Sequence, residues 1–280
     1  MFSIYDFLYI VKLLMQLFLT FVIFITMLKF FKMQALGNDY IYIDCTQNKI
    51  KLSNIPKICP QICSPHFGVG ADGIILIQKS NTCDAKIHIL NKDGSYAKMC
   101  GNAIRCVAFY LYRKLNKRKV NIQTYDRKVL CKVVPRSENT AYVLAKIGKV
   151  QSKKVGGNHI VFCGNKHIVI TKKNLNFDIN KKVRKLDDEI LKNYNIEFMQ
   201  IKSKNEISIK VYERGSCETL ACGSGAVASA YILHKMYRFN KVKVHLLGGE
   251  LTIYFYNGQA YMWGLANFVF VGECKIGEFY

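Results

Sequence analysis

Apolar and polar positions alternate along much of the chain in short segments, a pattern that predicts β-strands. These segments are rich in β-branched and aromatic residues and are bounded by Gly, Asn and Asp, which are typical of turns. They cover residues 40–44, 74–77, 129–134, 167–170, 242–246 and 251–255. Many strands with few helices indicate the α+β class.

Two other segments are apolar on every side, which is typical of helices that lie inside a fold. They run from Ala103 to Tyr112 and from Ala226 to Met236. A shorter helix is predicted around residues 185–193. We therefore expect sheets that wrap around two buried helices.

Both predicted buried helices follow the same order of features: an apolar strand, a polar turn, and a cysteine that opens a glycine-containing turn. Residues 87–95 lead to Cys100 in this way, and residues 209–216 lead to Cys222. A duplicated half of roughly 120 residues explains the repeat most simply. A chain of 280 residues is long enough for two cores. The sequence thus predicts two similar halves with a site between them.

The first 26 residues differ from the rest of the chain. Between Lys12 and Lys29 lie 16 mostly apolar residues, fewer than the roughly 20 that span a bilayer. No small-x-small cleavage site follows them, and Met27 stands where a compact domain would begin. We expect residues 1–26 to be a hydrophobic extension outside the fold. An anchor or targeting segment is the alternative.

The net charge of +22 suggests a nucleic-acid partner at first sight. The lysines are spread through turns and strand faces, however, without a basic helix or zinc finger, so we interpret the charge as a solvated surface. The eleven cysteines contain no C-x-x-C pair, and their odd number without a credible signal peptide is typical of a reducing compartment. We predict a cytoplasmic protein without a metal site, a nucleic-acid partner or a membrane partner.

Cys100 and Cys222 are the candidates for catalysis. A helix N-terminus carries unpaired N–H groups and a partial positive charge, which favour a thiolate and bind carboxylates. This effect is worth up to about 2 kcal/mol, or about 1.5 pK units. We therefore expect one of the two thiols to have a pKa near neutral pH, and expect both to border one anion site if the helix ends face each other.

Six motifs in order resemble those of the diaminopimelate epimerase family. Each motif alone is weak, but six in this order are highly specific, and they cover the chain from about residue 28 onwards. They are residues 33–40, 68–73, 91–95 with 99–102, 164–167, 195–198, and 212–215 with 218–225.

The resemblance implies two pseudo-symmetric halves, each a curled, mostly antiparallel β-sheet wrapped around a central helix. The first half would comprise residues 27–144, completed by the last strand, 267–280, which crosses back from the second half, 145–266. The family is often homodimeric, so the resemblance also implies a homodimer.

The resemblance implies a cofactor-independent epimerase that interconverts LL- and meso-2,6-diaminopimelate, a precursor of lysine and peptidoglycan. Inverting an α-carbon removes a proton from one face and returns one to the other, which suits two acid/base groups on opposite sides. Cys100 and Cys222 would be that pair, one as thiolate and one as thiol. His167 and Glu213 match family positions that tune the pKa values of the two cysteines.

Further positions match substrate-binding residues of the family. Backbone N–H groups at the two helix starts would hold the reacting carboxylate, and amides with one arginine would hold the distal ammonium and carboxylate. The implied set is Asn38, Asn91, Gly101, Asn102, Asn165, Asn195, Glu213, Arg214, Gly223 and Ser224.

The chain departs from the family pattern at several positions. Lys166 stands where the family commonly has proline, and Ala103 where it has glycine. Cys217 replaces a usual glycine close to Cys222, where an extra thiol makes a competing disulfide a specific risk.

Two alternatives remain open. One is a proline or hydroxyproline racemase or epimerase on the same scaffold, although those enzymes usually have histidine where Asn102 stands. The other is a non-enzymatic redox sensor in which Cys100 and Cys222 form a reversible disulfide.

Overall fold

The computed structural model describes residues 27–48 and 52–275, together with residues 9, 11 and 12. The predicted extension, residues 1–26, therefore lies outside the described residues apart from those three positions, as do residues 276–280. The helices are α1 (Ile55–Ile62), α2 (Gly101–Leu115), α3 (Ile179–Val183), α4 (Asp188–Asn193) and α5 (Gly223–Tyr237).

The strands of the first half come before residue 149. They are β1 (Met27–Ala35), β2 (Asn38–Asp44), β3 (Gly73–Gln78), β4 (Ala85–Asn91), β5 (Tyr96–Ala97), β6 (Lys119–Gln123), β7 (Lys128–Pro135) and β8 (Thr140–Gly148). The remaining strands are β9 (Gln151–Val155), β10 (Asn158–Phe162), β11 (Lys166–Thr171), β12 (Asn195–Ser203), β13 (Glu206–Glu213), β14 (Cys217–Thr219), β15 (Lys241–Leu246), β16 (Gly249–Tyr256) and β17 (Gln259–Lys275).

The first sheet closes into a barrel. Strands β1, β2, β3, β4, β6, β7, β8 and β17 pair in this order, and β17 pairs back with β1. All of these pairs are antiparallel except β2–β3 and β4–β6. Helix α2 lies inside the barrel with most of its residues buried. The predicted curled sheet around a central helix is confirmed.

The second half repeats the same order of elements. The parallel pairs β11–β12 and β13–β15 correspond to β2–β3 and β4–β6, and α5 takes the place of α2. Strand β8 leads directly into β9, which pairs with β10. The pseudo-symmetry predicted from the repeated strand, turn, cysteine and helix is therefore present in the pairing of the strands.

Strand β17 connects the two sheets. It pairs with β16 up to Trp263, with β8 as far as Asn267, and with β1 from Asn267 to Lys275. The largest apolar core is continuous and contains buried residues of both α2 and α5. The two halves therefore share one core and one strand.

Local sequence explains where the helices begin. Cys100 and Cys222 are the N-cap residues of α2 and α5, and each sulfur accepts a backbone hydrogen bond from the third residue after it. The helix predicted at 185–193 begins only at Asp188, because Asp187 caps it by accepting the N–H of Glu189 at 2.7 Å. Within the described part of the chain, no helix combines the length and apolar character needed to cross a bilayer.

Candidate active site

The N-termini of α2 and α5 meet at the junction of the two halves. The side-chain amide of Asn102 donates to the carbonyl of Ala221 at 3.1 Å, and this contact is buried. A Cβ atom placed on Gly101 would be 4.0 Å from the Cα of Gly223 and would collide with the end of Met262. The glycine after each cysteine therefore lets the two helix starts approach closely.

Cys100 is half-buried and has three polar neighbours. Its sulfur lies 3.5 Å from Asn38 Oδ1, 3.6 Å from the hydroxyl of Tyr40 and 3.5 Å from the backbone nitrogen of Ala103. The Asn38 amide is itself held, since its Nδ2 donates to Asp72 Oδ2 at 2.7 Å. Sequence analysis did not single out Tyr40 or Asp72, although both lie in the motifs quoted above.

Cys222 is buried, and its sulfur contacts Ser224 Oγ at 3.5 Å and the backbone nitrogen of Gly225 at 3.4 Å. The carboxylate of Glu213 acts electrostatically on both Cys100 and Cys222. Glu213 accepts a hydrogen bond from Thr219 Oγ1 at 2.6 Å, which fixes its orientation. One carboxylate therefore influences both thiols.

The pKa values of both thiols are raised, not lowered. Burial raises the pKa of Cys100, and the hydrogen bond from the Ala103 N–H opposes this only in part. Burial, Glu213 and Glu197 together raise the pKa of Cys222 well above its ordinary value. The expectation of a thiol pKa near neutral pH is therefore wrong for the substrate-free molecule, because loss of hydration outweighs the helix N-terminus.

His167 pairs with a residue that sequence analysis did not select, Glu197. Both side chains are fully buried, and His167 Nδ1 lies 2.7 Å from Glu197 Oε1. Burial alone would lower the pKa of His167, but the facing Glu197 carboxylate, helped by Cys163, raises it to about 10. A Cβ on Gly225 would lie 2.5 Å from Glu197 Oε1, so the glycine in the first turn of α5 leaves room for this pair.

Arg105 is a second buried charge that the sequence did not indicate. It is 0% exposed, and its guanidinium donates to Asn102 Oδ1 at 2.9 Å and to the carbonyl of Leu265 at 3.3 Å. Among the described residues, no carboxylate lies within ion-pair distance of it. Because Arg105 holds Asn102 Oδ1, the Nδ2 of Asn102 points towards Asn38 and Ala221.

The other predicted binding residues lie in two places. Asn165 lies against α5, where its Nδ2 is 3.5 Å from Ser224 Oγ, and Asn195 Oδ1 accepts the backbone N–H of Arg214 at 3.0 Å. The side chain of Arg214 is exposed. Asn91, also exposed, contacts Ser95 in the turn that follows β4.

Cys217, the thiol predicted to carry a disulfide risk, is exposed and free in the structure. Its φ is +61°, in the left-handed region that glycine adopts without strain. This backbone conformation is consistent with glycine being usual at the position.

Comparison with known proteins agrees with the motifs. A sequence profile of the diaminopimelate epimerase family matches residues 30–153 and 159–269. The diaminopimelate epimerase of Methanococcus maripaludis is 36% identical, with 89% of this chain and all of that protein covered. The enzyme of the same name from Pelotomaculum thermopropionicum is 34% identical, over 87% of this chain and 98% of that protein.

Solved structures share the fold at low sequence identity. A phenazine biosynthesis protein of the PhzF family from Bacillus anthracis matches with a TM-score of 0.68 at 14% identity, over 89% of this chain and 99% of that one. A hydroxyproline epimerase from Agrobacterium vitis matches with a TM-score of 0.65 at 13% identity, over 90% of this chain and 92% of that one. The motifs, the paired cysteine-capped helices and the extent of the sequence match together show that this chain is an enzyme of the epimerase type and belongs to the diaminopimelate epimerase family.

Proposed function

We propose that this enzyme interconverts LL- and meso-2,6-diaminopimelate by moving the α-proton between two thiols, without a cofactor. The observation that carries the proposal is the meeting of two helix N-termini, each capped by a cysteine, at the junction of the halves. A carbon atom held between Cys100 and Cys222 would present opposite faces to the two sulfurs.

The proton transfer needs one thiolate and one thiol. The thiolate takes the α-proton, and the S–H of the other cysteine donates a proton to the opposite face of the carbanion. The enzyme is left in the opposite protonation state, so the reverse reaction uses the same pair with their roles exchanged. Glu213 opposes the ionisation of each thiol. Two acid/base groups that share a site also titrate as a pair, so a first thiolate opposes formation of the second.

The reacting carboxylate must accept charge as the proton leaves. We assign it to the backbone N–H groups of Gly101, Asn102, Gly223 and Ser224, since first-turn N–H groups have no partner within a helix. Support comes from the close approach of the two helix starts, which directs both sets of N–H groups into one place.

The distal end of diaminopimelate carries a second ammonium and a second carboxylate. We assign this end to Asn91, Asn165, Asn195 and Arg214, with Asn38 in the first site loop. The contact of Asn195 with the backbone of Arg214 supports this assignment, because it fixes the start of the arginine side chain. The exposed guanidinium is then free to bind a carboxylate in bidentate fashion.

For the whole molecule we propose a cytoplasmic enzyme of lysine and peptidoglycan precursor synthesis. The halves would comprise residues 27–144 with 267–280, and 145–266. We also propose a homodimer, supported by an exposed apolar patch near the end of β17: Val269, Phe270 and Val271 are 52%, 43% and 73% exposed.

The proposal is tested by incubating the full-length chain in D₂O under reducing conditions with LL-diaminopimelate and, separately, with proline. Chiral chromatography and mass spectrometry would follow the product and its deuterium. We expect the meso isomer to form from diaminopimelate and no exchange with proline. Cys100→Ala and Cys222→Ala should each lower turnover by at least about 100-fold.

The matched control is Cys83→Ala, which removes a half-exposed thiol in the loop between β3 and β4, where its sulfur is contacted by Thr82 Oγ1. It should keep wild-type turnover. Exchange with proline alone would instead assign the chain to a proline-type racemase. Turnover of neither compound, with a Cys100–Cys222 disulfide formed under mild oxidation, would favour the redox sensor.

A further inference from the structure

The surroundings of Cys100 and Cys222 differ, and the phenol of Tyr40 belongs to those of Cys100. Tyr40 lies on β2, is 6% exposed, and places its hydroxyl 3.6 Å from Cys100 Sγ. Cys222 instead contacts a serine hydroxyl and is influenced by two carboxylates, Glu213 and Glu197. The two thiols, although equivalent in the repeat, are chemically unequal.

We propose that Tyr40 is a further residue of the reaction site, whose hydroxyl donates a hydrogen bond to the Cys100 thiolate and makes Cys100 the first of the two thiols to ionise in the substrate-free enzyme. The inference rests on the proposed function for the identity of the reaction. It adds to that function which of the two thiols ionises first before substrate binds.

Each protonation state of Cys100 has its own partner. As a thiol, Cys100 donates to Asn38 Oδ1 at 3.5 Å. As a thiolate, it accepts from the Tyr40 hydroxyl and from the Ala103 N–H, which is 3.5 Å away. Hydrogen bonds to an ionised acceptor are roughly twice as strong as neutral ones, so the phenol favours the thiolate.

The fold holds the Tyr40 ring in place. A Cβ on Gly73 would lie 2.9 Å from Tyr40 Cε1 and would collide with the carbonyl of Leu90, so glycine leaves the space that the ring needs. Burial raises the pKa of Tyr40 well above its ordinary value, and neighbouring Cys100 and Asp72 add to the rise. The hydroxyl therefore keeps its proton at neutral pH.

Other titratable and charged groups act on Cys100 from the elements packed around it. Glu213 on β13 opposes the thiolate. Asp72, just before β3, raises the pKa of Tyr40 and accepts a hydrogen bond from Asn38. Arg105 on α2 favours the thiolate. Cys106 on α2 and Tyr42 on β2 are also coupled to Cys100 but are neutral over the relevant pH range, since burial raises both pKa values.

The test is the pH dependence of alkylation at Cys100 in full-length, substrate-free enzyme. Iodoacetamide labels thiolates, and peptide mass spectrometry separates Cys100 from the other cysteines. Tyr40→Phe removes only the hydroxyl, so the Cys100 profile should shift up by about one pH unit, which is about tenfold slower labelling at a pH below both midpoints. The Cys222 profile should not rise with it.

Tyr42→Phe is the matched control, because Tyr42 is another buried tyrosine two residues along the same strand, and its hydroxyl faces Cys106. It should leave the Cys100 profile unchanged. A Tyr40→Phe profile that coincides with wild type, or wild-type labelling of Cys222 at lower pH than Cys100, would overturn the inference. Epimerisation measured on unlabelled portions of the same preparations separates the two proposals: a shifted profile without diaminopimelate turnover would retain Tyr40 as the donor and refute only the proposed function.

Discussion

At the scale of single residues, buried charged and polar groups distinguish this site. Glu197, Arg105 and the phenol of Tyr40 each lie within one contact of a predicted site residue. The thiols at the helix starts could be predicted because an N-cap is encoded within a few neighbouring residues. The three buried groups could not, because their burial depends on strands that are distant in the sequence.

The pair formed by His167 and Glu197 gives a prediction about charge. With a pKa raised to about 10 by the facing carboxylate, His167 should remain protonated throughout neutral pH. In Glu197→Gln the largest influence that raises the pKa of His167 is lost while burial still lowers it, so His167 should be neutral at pH 7. Imidazole ¹⁵N chemical shifts across a pH titration would measure this.

The control for that titration is Glu206→Gln, which removes a carboxylate 2.5 Å from a different histidine, His245. It should leave His167 protonated. Because the folded pKa of His167 lies above its unfolded value, the pair stabilises the fold fully below about pH 6.5, and this stability is lost as pH rises through about 10. A neutral His167 at pH 7 in the wild type would contradict the account.

Cys217 gives a prediction about stability. A non-glycine residue in the left-handed region destabilises the folded state by about 1 to 2 kcal/mol. Glycine avoids this cost, but part of the gain is lost because its unfolded chain is more flexible. Cys217→Gly should therefore raise the free energy of unfolding by about 1 kcal/mol in a urea titration. Cys83→Gly, at a position without positive φ, should be neutral or destabilising, and the reverse order would contradict the conformational explanation.

At the scale of elements, the two buried helices were predicted to within a few residues because they are apolar on every side. Helix α1 was not predicted, since its sequence contains Pro60 inside the helix, where proline ordinarily ends one. It nevertheless forms, burying Ile55, Ile58 and Ile62 in a second apolar core that it shares with strands β1 to β4. Tertiary packing there outweighs local propensity.

The helix starts also determine how activity depends on pH. Because burial raises the pKa values of both thiols, the required thiolate is scarce at neutral pH. The value of kcat/KM for diaminopimelate should therefore rise about tenfold per pH unit from pH 6.5 to 8.5. A plateau that begins below pH 7 would show that the substrate-free thiols are more acidic than the structure indicates.

At the scale of the whole molecule, the repeat in the sequence predicts two halves, but it does not predict how they join. Closure of the first barrel depends on pairs such as Met27 with Lys275, which are separated by nearly the whole described chain. Only the family resemblance indicated this crossing strand. Local patterns carry no signal for it, because strand pairing at that distance is decided by the complete fold.

The exposed end of β17 gives a prediction about assembly. If Val269, Phe270 and Val271 form the centre of a homodimer, Val271→Glu should place a charge in an apolar interface and shift the protein to monomers. Light scattering after size-exclusion chromatography would measure the mass. Tyr256→Glu, at a side chain 68% exposed on another strand, is the control and should not change it. A monomeric wild type would refute the dimer.

The most direct test of a two-thiol reaction is the deuterium content of product and residual substrate early in turnover of LL-diaminopimelate in D₂O. With separate bases on the two faces, the proton returned to the product comes from a thiol already exchanged with solvent. We predict that the first meso-diaminopimelate carries deuterium at the inverted carbon while the remaining LL isomer carries almost none. Product that retains its original α-proton, or LL substrate that gains deuterium as fast as product forms, would contradict the assignment of Cys100 and Cys222 as a pair.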